Sequence, residues 1–155
     1  MKLSILICSL PNRLKQFSVI EELTRQAKDR PVEILYLGDN WTMKVGQKRN
    51  SLIYLSSGEY ICFVDDDDRV EPTYVSDILN AINQHGTDCI NFQASVSING
   101  SNPMICYYSK EFTENVNLPT KYLRQPNHLM VWKKSIIESF PEINVGEDNL
   151  FGEDM

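Results

Sequence analysis

The sequence predicts a three-layer α/β/α sandwich around a mainly parallel central sheet, with mixed or antiparallel strands added to it. In the first half of the chain, short apolar runs typical of buried strands alternate three times with segments that have the periodicity of amphipathic helices. Strands that alternate with helices form βαβ units and therefore a parallel sheet. From residue 87 onward, apolar and polar residues alternate instead, which is typical of strands with one buried face.

The first predicted unit is a strand followed by a helix. Residues 3–8 form a short apolar run that ends before Pro11, and this favours a buried strand. Apolar residues then recur at steps of three and four, which predicts an amphipathic helix. These residues are Leu14, Phe17, Ile20, Leu23 and Ala27.

Two further pairs of a strand and a helix follow. Residues 32–37 predict a second strand, and a second helix is expected from about residue 44 to 56. Residues 60–64 predict a third strand. We expect the third helix to have Pro72 at its first position and to end near Gly86, with an apolar stripe between them.

The second half of the chain predicts shorter and more polar elements. Residues 90–98 alternate strictly and predict one half-buried strand that joins in mixed or antiparallel fashion. Residues 104–108 and 128–132 are further strand candidates, and a polar loop is expected over 109–127 between them. A short helix is expected to begin near Ser135.

The composition fits one globular domain, since the chain has 155 residues of which 42% are hydrophobic. No apolar run approaches the roughly 20 residues that span a bilayer, and the first apolar run is too short for a signal peptide. The four cysteines are scattered without a CxxC pair, and three lie in strand-like runs. This usage predicts reduced core thiols and a cytoplasmic location.

Charge is distributed unevenly along the chain. The formal net charge is -6, and all 15 basic residues lie in residues 1–134 together with 15 of the 21 acidic residues. The six remaining acidic residues, and with them the whole excess, therefore lie in residues 135–155. A surface that binds nucleic acid needs a clustered basic footprint, so we expect no nucleic-acid partner.

Four consecutive aspartates, Asp65 to Asp68, follow the third predicted strand. Adjacent carboxylates in a partly desolvated cleft repel one another by on the order of a few kcal/mol unless protons or a cation compensate. Oxygen ligands suit a hard divalent ion such as Mg²⁺ or Mn²⁺, and Asp65 and Asp67 share one face if the strand continues. The alternative is a solvated turn whose aspartates cap the next helix.

Two further features favour a ligand site over a simple turn. Arg49 lies on the apolar face of the second predicted helix, because apolar residues stand four positions before it and three and four positions after it. An inward arginine needs an anion, which is either an internal partner such as Asp65 or a bound phosphate. Gly38-Asp39-Asn40 ends the second strand, where a doubly wound sheet binds a nucleoside.

Five segments, in their order and spacing, resemble the family 2 type of inverting glycosyltransferases, which have the Rossmann-like GT-A fold that binds nucleotide sugars. The segments are the opening strand with Leu10-Pro11-Asn12-Arg13, then Gly38-Asp39-Asn40, Val45-Gly46-Gln47-Lys48-Arg49-Asn50, the run from Gly58 to Asp68 that is similar to the family's GEYIxFxDxDD signature, and a late Glu-Asp pair. The resemblance covers most of the chain. It implies a single GT-A domain over residues 1–155, with a nucleotide-binding half in 1–86 and an acceptor-side half in 87–155.

The resemblance implies transfer, with inversion, of a sugar from a nucleotide-diphosphate donor to a hydroxyl acceptor. The expected donor is a UDP-sugar, and the acceptor is a glycan, a lipid-linked molecule or another hydroxyl compound. Asp65, Asp66 and Asp67 match the DxD motif of the family. Asp67 is then the expected direct ligand of Mn²⁺ or Mg²⁺, and Asp65 is expected near the ribose or in the metal's water shell.

The remaining donor contacts are also implied by the resemblance. Asp39 matches the acidic residue that contacts the base, which is usually uracil. Arg49 and Asn50 match the pair that lines the nucleotide pocket. Pro11 and Arg13 belong to the loop that borders the nucleoside.

The resemblance further implies a catalytic base, an aspartate in the late Glu-Asp pair that takes the proton from the acceptor hydroxyl. This chain departs from the family pattern because the pair occurs twice, at Asp148 and at Asp154. We expect Asp154 to be the base, since Phe151-Gly152-Glu153-Asp154 has the aromatic-Gly-Glu-Asp form, and Asp148 is the alternative. The chain stops at Met155 without the helix and acceptor-shaping segment that normally follow, which predicts a minimal or truncated member.

Other functions compete with this one. A non-catalytic domain that binds a nucleotide sugar or a metal fits the short C-terminus. A phosphotransferase of the haloacid-dehalogenase type also places an aspartate after an apolar strand, but Arg69 stands where that pattern needs Thr or Val. A nucleotidyltransferase ranks last, because the chain has no glycine-rich phosphate loop near the first strand.

Three aromatic or imidazole side chains are further candidates for the site. Trp41 and Trp132 are candidates for stacking on a sugar or a base, and core packing is the expected role of Trp132. His128 precedes a predicted strand, and a structural hydrogen bond is its expected role.

Overall fold

The computed structural model of the protein describes residues 1–9, 17–98 and 100–143. In these residues three helices and nine strands follow one another along the chain. They are β1 Leu3–Ser9, α1 Phe17–Ala27, β2 Val32–Gly38, α2 Val45–Leu55, β3 Tyr60–Phe63, α3 Tyr74–His85, β4 Cys89–Ile90, β5 Ala94–Val96, β6 Met104–Tyr108, β7 Val116–Asn117, β8 Lys121–Arg124 and β9 Val131–Lys133.

The larger sheet contains five strands in the order β2-β1-β3-β9-β4. β1 pairs in parallel with both β2 and β3, and these are the longest pairings of the sheet. β9 runs antiparallel to both β3 and β4. The prediction of a mainly parallel central sheet with mixed or antiparallel strands added to it is therefore confirmed.

Both faces of the central strands are buried, because helices cover the sheet on each side. Leu3, Ile5 and Ile7 of β1 pack in one apolar core with residues of α1 and α3. Leu6 points to the opposite face and packs in a second core with Leu52 of α2. Strand side chains alternate between faces, so this arrangement is the predicted α/β/α sandwich.

α3 ends as predicted and begins two residues later than predicted. Gly86 ends it with a left-handed φ of 58°, a conformation that glycine adopts without a Cβ clash. The helix starts at Tyr74, and Pro72 lies in the turn before it rather than at its first position. The buried side chain of Gln26 accepts a hydrogen bond from the backbone N–H of Val75 at 2.9 Å, so α1 caps the start of α3.

The strand expected over residues 90–98 is two strands in two different sheets. β4 pairs with β9 in the larger sheet, whereas β5 pairs with β6 in the second sheet. Alternating burial continues across residues 91–93, where no strand is formed. Side-chain alternation records which face is buried and does not record which neighbour accepts the backbone hydrogen bonds, so the pattern could not show the break.

The polar loop expected over residues 109–127 contains two strands. β7 and β8 complete the second sheet, whose order is β5-β6-β8-β7. Strands of two and four residues in a polar stretch are too short to show periodicity. The strand expected over 128–132 starts at Val131, and a single 3-10 turn at Lys134–Ile136 stands where a short helix was expected near Ser135.

All four cysteines lie in the described residues and are free thiols. Cys62 and Cys106 are buried, and Cys8 and Cys89 are half-buried. Burial raises the pKa of the Cys62 thiol to about 12, so it stays protonated at neutral pH. No helix in the described part of the chain is long and apolar enough to cross a bilayer.

Candidate functional site

Three parallel strands end side by side and bring the predicted polar residues to one edge of the sheet. Ser9 ends β1 opposite Gly38 of β2, and Leu6 of β1 lies opposite Phe63, the last residue of β3. The residues that follow these strands therefore meet at the carboxyl edge, where open α/β sheets bind their ligands. This edge holds Asp39 on one side of β1 and the four aspartates on the other.

The four aspartates form a turn rather than an extension of β3. The strand ends at Phe63, and the backbone N–H of Asp68 donates to the carbonyl of Asp65 at 3.1 Å. Asp66 is buried, and its carboxylate accepts a hydrogen bond from the Ser9 hydroxyl at 2.5 Å. Asp66 thus connects the turn after β3 to the end of β1. Asp67 is exposed at the tip of the turn.

Asp68 has a raised pKa because it is partly buried and the other carboxylates of the turn lie close to it. Partial burial, followed by the charges of Asp65, Asp67 and Asp66, raises its pKa to about 6. Crowded carboxylates whose ionisation is opposed in this way favour a bound cation, which offsets the repulsion. The carboxylates of the turn therefore repel one another, and a proton on Asp68 relieves part of this repulsion.

Arg49 points into the molecule, as its position on α2 predicted. Its guanidinium is buried and lies 5.4 Å from the ring centre of Phe63 and 5.2 Å from that of Phe140. Its Nη2 lies 3.8 Å from Oδ1 of Asp65. Of the two anions that the sequence left open, an internal carboxylate and a bound phosphate, the described structure shows the first, Asp65. The rings of Phe63 and Phe140 hold the guanidinium in place through cation–π contacts.

His128 approaches the other carboxylate oxygen of Asp65. Its Nε2 lies 3.6 Å from Oδ2 of Asp65, and its ring packs edge-on against Phe63. The buried imidazole belongs to the segment just before β9, which sequence reasoning had treated as structural. Arg49 and His128 together orient the Asp65 carboxylate, whose side chain remains 45% exposed.

Asp39 is held by Lys48, a residue that sequence reasoning missed. One carboxylate oxygen of Asp39 forms an ion pair with Lys48, whose ammonium also donates to the carbonyl of Ser9 at 2.9 Å. The other oxygen accepts hydrogen bonds from the backbone N–H groups of Thr42 and Met43 at 2.6 and 2.7 Å. The Lys48 bond, followed by these N–H bonds, lowers the pKa of Asp39 to about 2. Lys48 stands four residues before a buried leucine of α2, and this spacing was the signal that could have identified it.

The loop held by Asp39 presents an exposed tryptophan. Trp41 is 69% exposed and has a left-handed φ of 61°. A left-handed backbone costs a residue other than glycine roughly 1–2 kcal/mol. Strain of this kind is typical of functional loops and persists only where neighbouring contacts enforce it.

Asn50 joins α2 to the last described segment of the chain. Its side-chain amide donates to the carbonyl of Phe140 at 3.0 Å and accepts from the N–H of Phe140 at 2.7 Å. Gly46 lies beside the same segment, and a Cβ there would lie 2.0 Å from the carbonyl oxygen of Pro141. Asn50 therefore positions this segment, and its expected contact with the nucleotide stays a prediction.

A cavity of about 270 Å³ adjoins the acidic turn. Asp68 and Arg69 line it on one side, and Phe92, Gln93 and Ser95 line it on the other. The cavity combines an apolar wall with groups that can donate and accept hydrogen bonds, which is the usual lining of a small-molecule site. It extends the site from the aspartates toward the second sheet.

The donor set fits a hard divalent ion. Asp65 and Asp67 offer carboxylate oxygens, which Mg²⁺ and Mn²⁺ prefer, and such ions take one or two protein carboxylates and complete their shell with substrate phosphates. Within residues 1–9, 17–98 and 100–143, no group of three or more His, Cys, Asp or Glu residues is arranged as a metal site. The described residues can thus supply at most part of a coordination shell.

Four of the predicted site residues lie outside the described residues. Pro11 and Arg13 were expected to border the nucleoside, and Asp148 and Asp154 were the two candidates for the base. Their roles stay predictions. The six that are described, Asp39, Arg49, Asn50, Asp65, Asp66 and Asp67, all lie at or behind the carboxyl edge of the larger sheet.

The fold is similar to that of solved structures of S. aureus TarS. The TarS crystal structure superposes with a TM-score of 0.65 at 18% sequence identity, covering 98% of this chain and 33% of that one. The structures of TarS 1-349 with UDP-GlcNAc and with UDP give TM-scores of 0.66 and 0.61, also at 18% identity, and this chain covers 52% and 54% of them. The chain thus spans between a third and about half of the length of these proteins.

The family comparison identifies the family of the chain, whereas structures at 18% identity show only the fold. No curated protein matches the sequence. The model of the family described as "Glycosyl transferase family 2" matches residues 18–138, a range that holds the six described site residues together with Lys48 and His128. Because this match covers most of the chain, and because the fold agrees with that of TarS, the chain belongs to glycosyl transferase family 2 and has the GT-A fold.

Proposed function

We propose that the protein transfers a sugar from a UDP-sugar to an acceptor hydroxyl with inversion, assisted by Mn²⁺ or Mg²⁺. The observation that carries the proposal is the approach of Arg49 to Asp65, in the acidic turn that also presents Asp67, at the carboxyl edge of the larger sheet. The family of the chain is one of glycosyl transferases. The likeness in fold to a protein solved with UDP-GlcNAc and with UDP supports this choice of donor. We further propose a cytoplasmic location, which the free thiols support.

The acidic turn is the proposed diphosphate site. We assign Asp67 and Asp65 as the residues that hold the ion, since Asp66 is bonded to Ser9 inside the turn. A divalent ion at this place stabilises the negative charge that develops on the leaving diphosphate. Arg49 and His128 keep the Asp65 carboxylate oriented, so that its geometry is set before the donor arrives.

The proposed reaction is a single displacement. The acceptor oxygen forms a bond to the anomeric carbon while the bond from that carbon to the diphosphate oxygen breaks, and the base takes the hydroxyl proton. We propose Asp154 as the base, with Asp148 as the alternative. Asp154→Asn should then keep donor binding and lose transfer by on the order of 100-fold or more, the usual contribution of a general base. If Asp148→Asn does this and Asp154→Asn does not, the assignment is reversed.

The cavity beside the acidic turn is the proposed place of the transferred sugar. Gln93, Ser95 and Arg69 line it and offer hydrogen bonds to hydroxyl groups, and the ring of Phe92 offers an apolar face. The acceptor is a glycan, a lipid-linked molecule or another compound with a free hydroxyl.

Calorimetric titration of UDP, with and without Mn²⁺, tests the donor site. We expect metal-dependent binding by the wild-type protein and its loss in Asp67→Ala. Asp88→Ala is a matched control, because Asp88 is an exposed aspartate on the loop between α3 and β4. Equal UDP affinity in wild type and Asp67→Ala would refute the assignment of the acidic turn.

A second candidate function is donor binding without transfer. It needs only the described residues at the carboxyl edge, such as Asp65 and Arg49, and no catalytic base. Incubation with UDP-GlcNAc and measurement of released UDP separates the two functions. If UDP-GlcNAc binds but no UDP is released, either by transfer to an acceptor or by hydrolysis, the function is donor binding alone.

A further inference from the structure

The loop between β2 and α2 places a large aromatic ring in solvent at an energetic cost. Trp41 is 69% exposed and belongs to neither apolar core of the described residues. It also has a left-handed φ of 61°, which bulky residues rarely adopt. An exposed indole contributes little hydrophobic stabilisation, and the backbone of Trp41 is strained. Neither core packing nor backbone preference therefore explains a tryptophan at this position.

The contacts around Trp41 hold the loop in this conformation. The two residues that follow it, Thr42 and Met43, donate their backbone N–H groups to the Asp39 carboxylate. Lys48 pairs with that carboxylate from the buried side and is itself bonded to the end of β1. A ring presented by a loop fixed in this way is preorganised for contact with a ligand, because little further ordering is needed on binding.

The same contacts occupy the carboxylate of Asp39. Its side chain is only 7% exposed, and its oxygens are engaged by Lys48 and by two backbone N–H groups. A carboxylate used in this way supports the loop that carries Trp41. The exposed ring of Trp41, two residues from Asp39, is the large apolar face that this loop offers to a base.

We propose that Trp41 is a nucleobase platform, on which the base of the donor stacks, an inference that rests on the proposed UDP-sugar site. Trp41 follows the end of β2 at the carboxyl edge, on the side of β1 opposite to the acidic turn. A nucleoside diphosphate with its phosphates at the turn can extend its base across β1 toward this loop. Any nucleobase can stack on an aromatic ring, so Trp41 contributes to affinity but does not select the base. Polar contacts select the base.

Fluorescence provides a direct readout, because the chain has only two tryptophans. The other tryptophan, Trp132, is buried. Trp132→Phe therefore leaves Trp41 as the only indole whose fluorescence is measured. We expect UDP with Mn²⁺ to quench the emission of Trp132→Phe in a saturable manner. The midpoint of the quenching should agree with the Kd that calorimetry gives for the same variant.

Three substitutions separate stacking from support of the loop. Trp41→Phe keeps an aromatic face and should bind UDP nearly as well as wild type, whereas Trp41→Ala should bind on the order of 10-fold more weakly. Trp41→Gly should bind as weakly as Trp41→Ala although its thermal midpoint is unchanged or higher, since glycine accepts the left-handed φ. Tyr54→Ala removes another exposed ring, on α2, and should leave UDP affinity unchanged.

The outcomes distinguish this inference from the proposed function. If the wild-type protein does not bind UDP, the proposed donor site fails and the platform fails with it. If UDP binds but leaves Trp41 emission unchanged, or if Trp41→Gly binds as tightly as Trp41→Phe, the platform is refuted and the donor site stands. Quenching together with weak binding by both Trp41→Ala and Trp41→Gly supports the platform.

Discussion

Lys48 is a charged side chain held almost entirely out of water at the carboxyl edge of the sheet. It is 1% exposed, and its ammonium joins the Asp39 carboxylate to the carbonyl that ends β1 at Ser9. A buried ammonium is tolerated when an anion and hydrogen bonds satisfy it, and both are present here. One side chain of α2 thus ties the loop after β2 to the end of β1.

We expect Lys48→Met to destabilise the protein at neutral pH and to lower Tm by several degrees, because methionine fills the volume but leaves the Asp39 carboxylate without its cation. The pKa of Asp39 is lowered from 3.8 to about 2. Stability from this carboxylate is therefore present above the unfolded pKa and lost as pH falls toward the folded one. The difference in free energy of unfolding between wild type and Lys48→Met should be largest at neutral pH and shrink below pH 3.8.

Urea unfolding of both proteins at neutral pH and at about pH 3 measures this difference. A difference that is the same at both pH values would contradict the role given to the ion pair. Arg25→Met is a suitable control, because Arg25 forms an exposed ion pair with Glu22 on α1, where solvent screens the charges.

The segment that follows β9 is positioned by α2. Asn50 makes two hydrogen bonds to the backbone of Phe140, and the N–H of Gly46 donates to the carbonyl of Ile143 at 3.3 Å. The backbone at Pro141 approaches Gly46 so closely that a side chain has no space there. The helix that carries Arg49 thus also carries the segment that leads to the two candidate bases.

Gly46→Ala should destabilise the protein by about 1–3 kcal/mol, the usual cost of inserting a methyl group where the structure has no room. Alanine favours a helix by about 1 kcal/mol over glycine, so a net loss of stability means that the clash with the carbonyl oxygen of Pro141 outweighs this preference. Urea unfolding gives the free energy of unfolding. A Gly46→Ala protein as stable as wild type would show that the segment is free to move away.

Gly86→Ala is the matched control for this prediction. A Cβ at Gly86 has no neighbour within 4 Å, so the cost there comes from the left-handed φ alone. We expect a loss of about 1 kcal/mol. Gly86→Ala should leave UDP binding unchanged, because Gly86 ends α3 and contacts no residue of the site.

The two sheets differ in how much of their surface they bury. β1 has seven residues, which all pair with β2 and of which four pair with β3, and every residue of the strand except Cys8 is buried. The strands β5 to β8 have two to five residues and keep many side chains half-buried or exposed, including Ile105 and Tyr107. Local stability follows buried contacts, so the larger sheet should be the more stable unit.

Hydrogen exchange followed residue by residue should reveal this hierarchy. We expect amides of β1 and β3 to exchange at least ~100-fold more slowly than those of β5, β7 and β8. Saturating UDP with Mn²⁺ should slow exchange at the acidic turn and in the loop after β2. Equal protection of both sheets in the free protein would contradict the hierarchy.

Much of the first half of the fold follows from local pattern. Strands β1, β2 and β3 and helices α1 to α3 lie within two or three residues of their predicted positions, since periodicity and helix ends depend on neighbouring residues. The inward direction of Arg49 and the place of the aspartates at a strand end were likewise predictable. The order and spacing of five segments, with the acidic run among them, were also enough to predict the family.

Only the tertiary structure decided how distant segments meet. The insertion of β9 between β3 and β4, the pairing of Lys48 with Asp39, and the approach of His128 to Asp65 depend on where the chain returns. Asn50 and Phe140 stand 90 residues apart, so no local pattern records their two hydrogen bonds. Short-range periodicity reports which face of an element is buried, whereas the partner on that face is selected by packing of the whole chain.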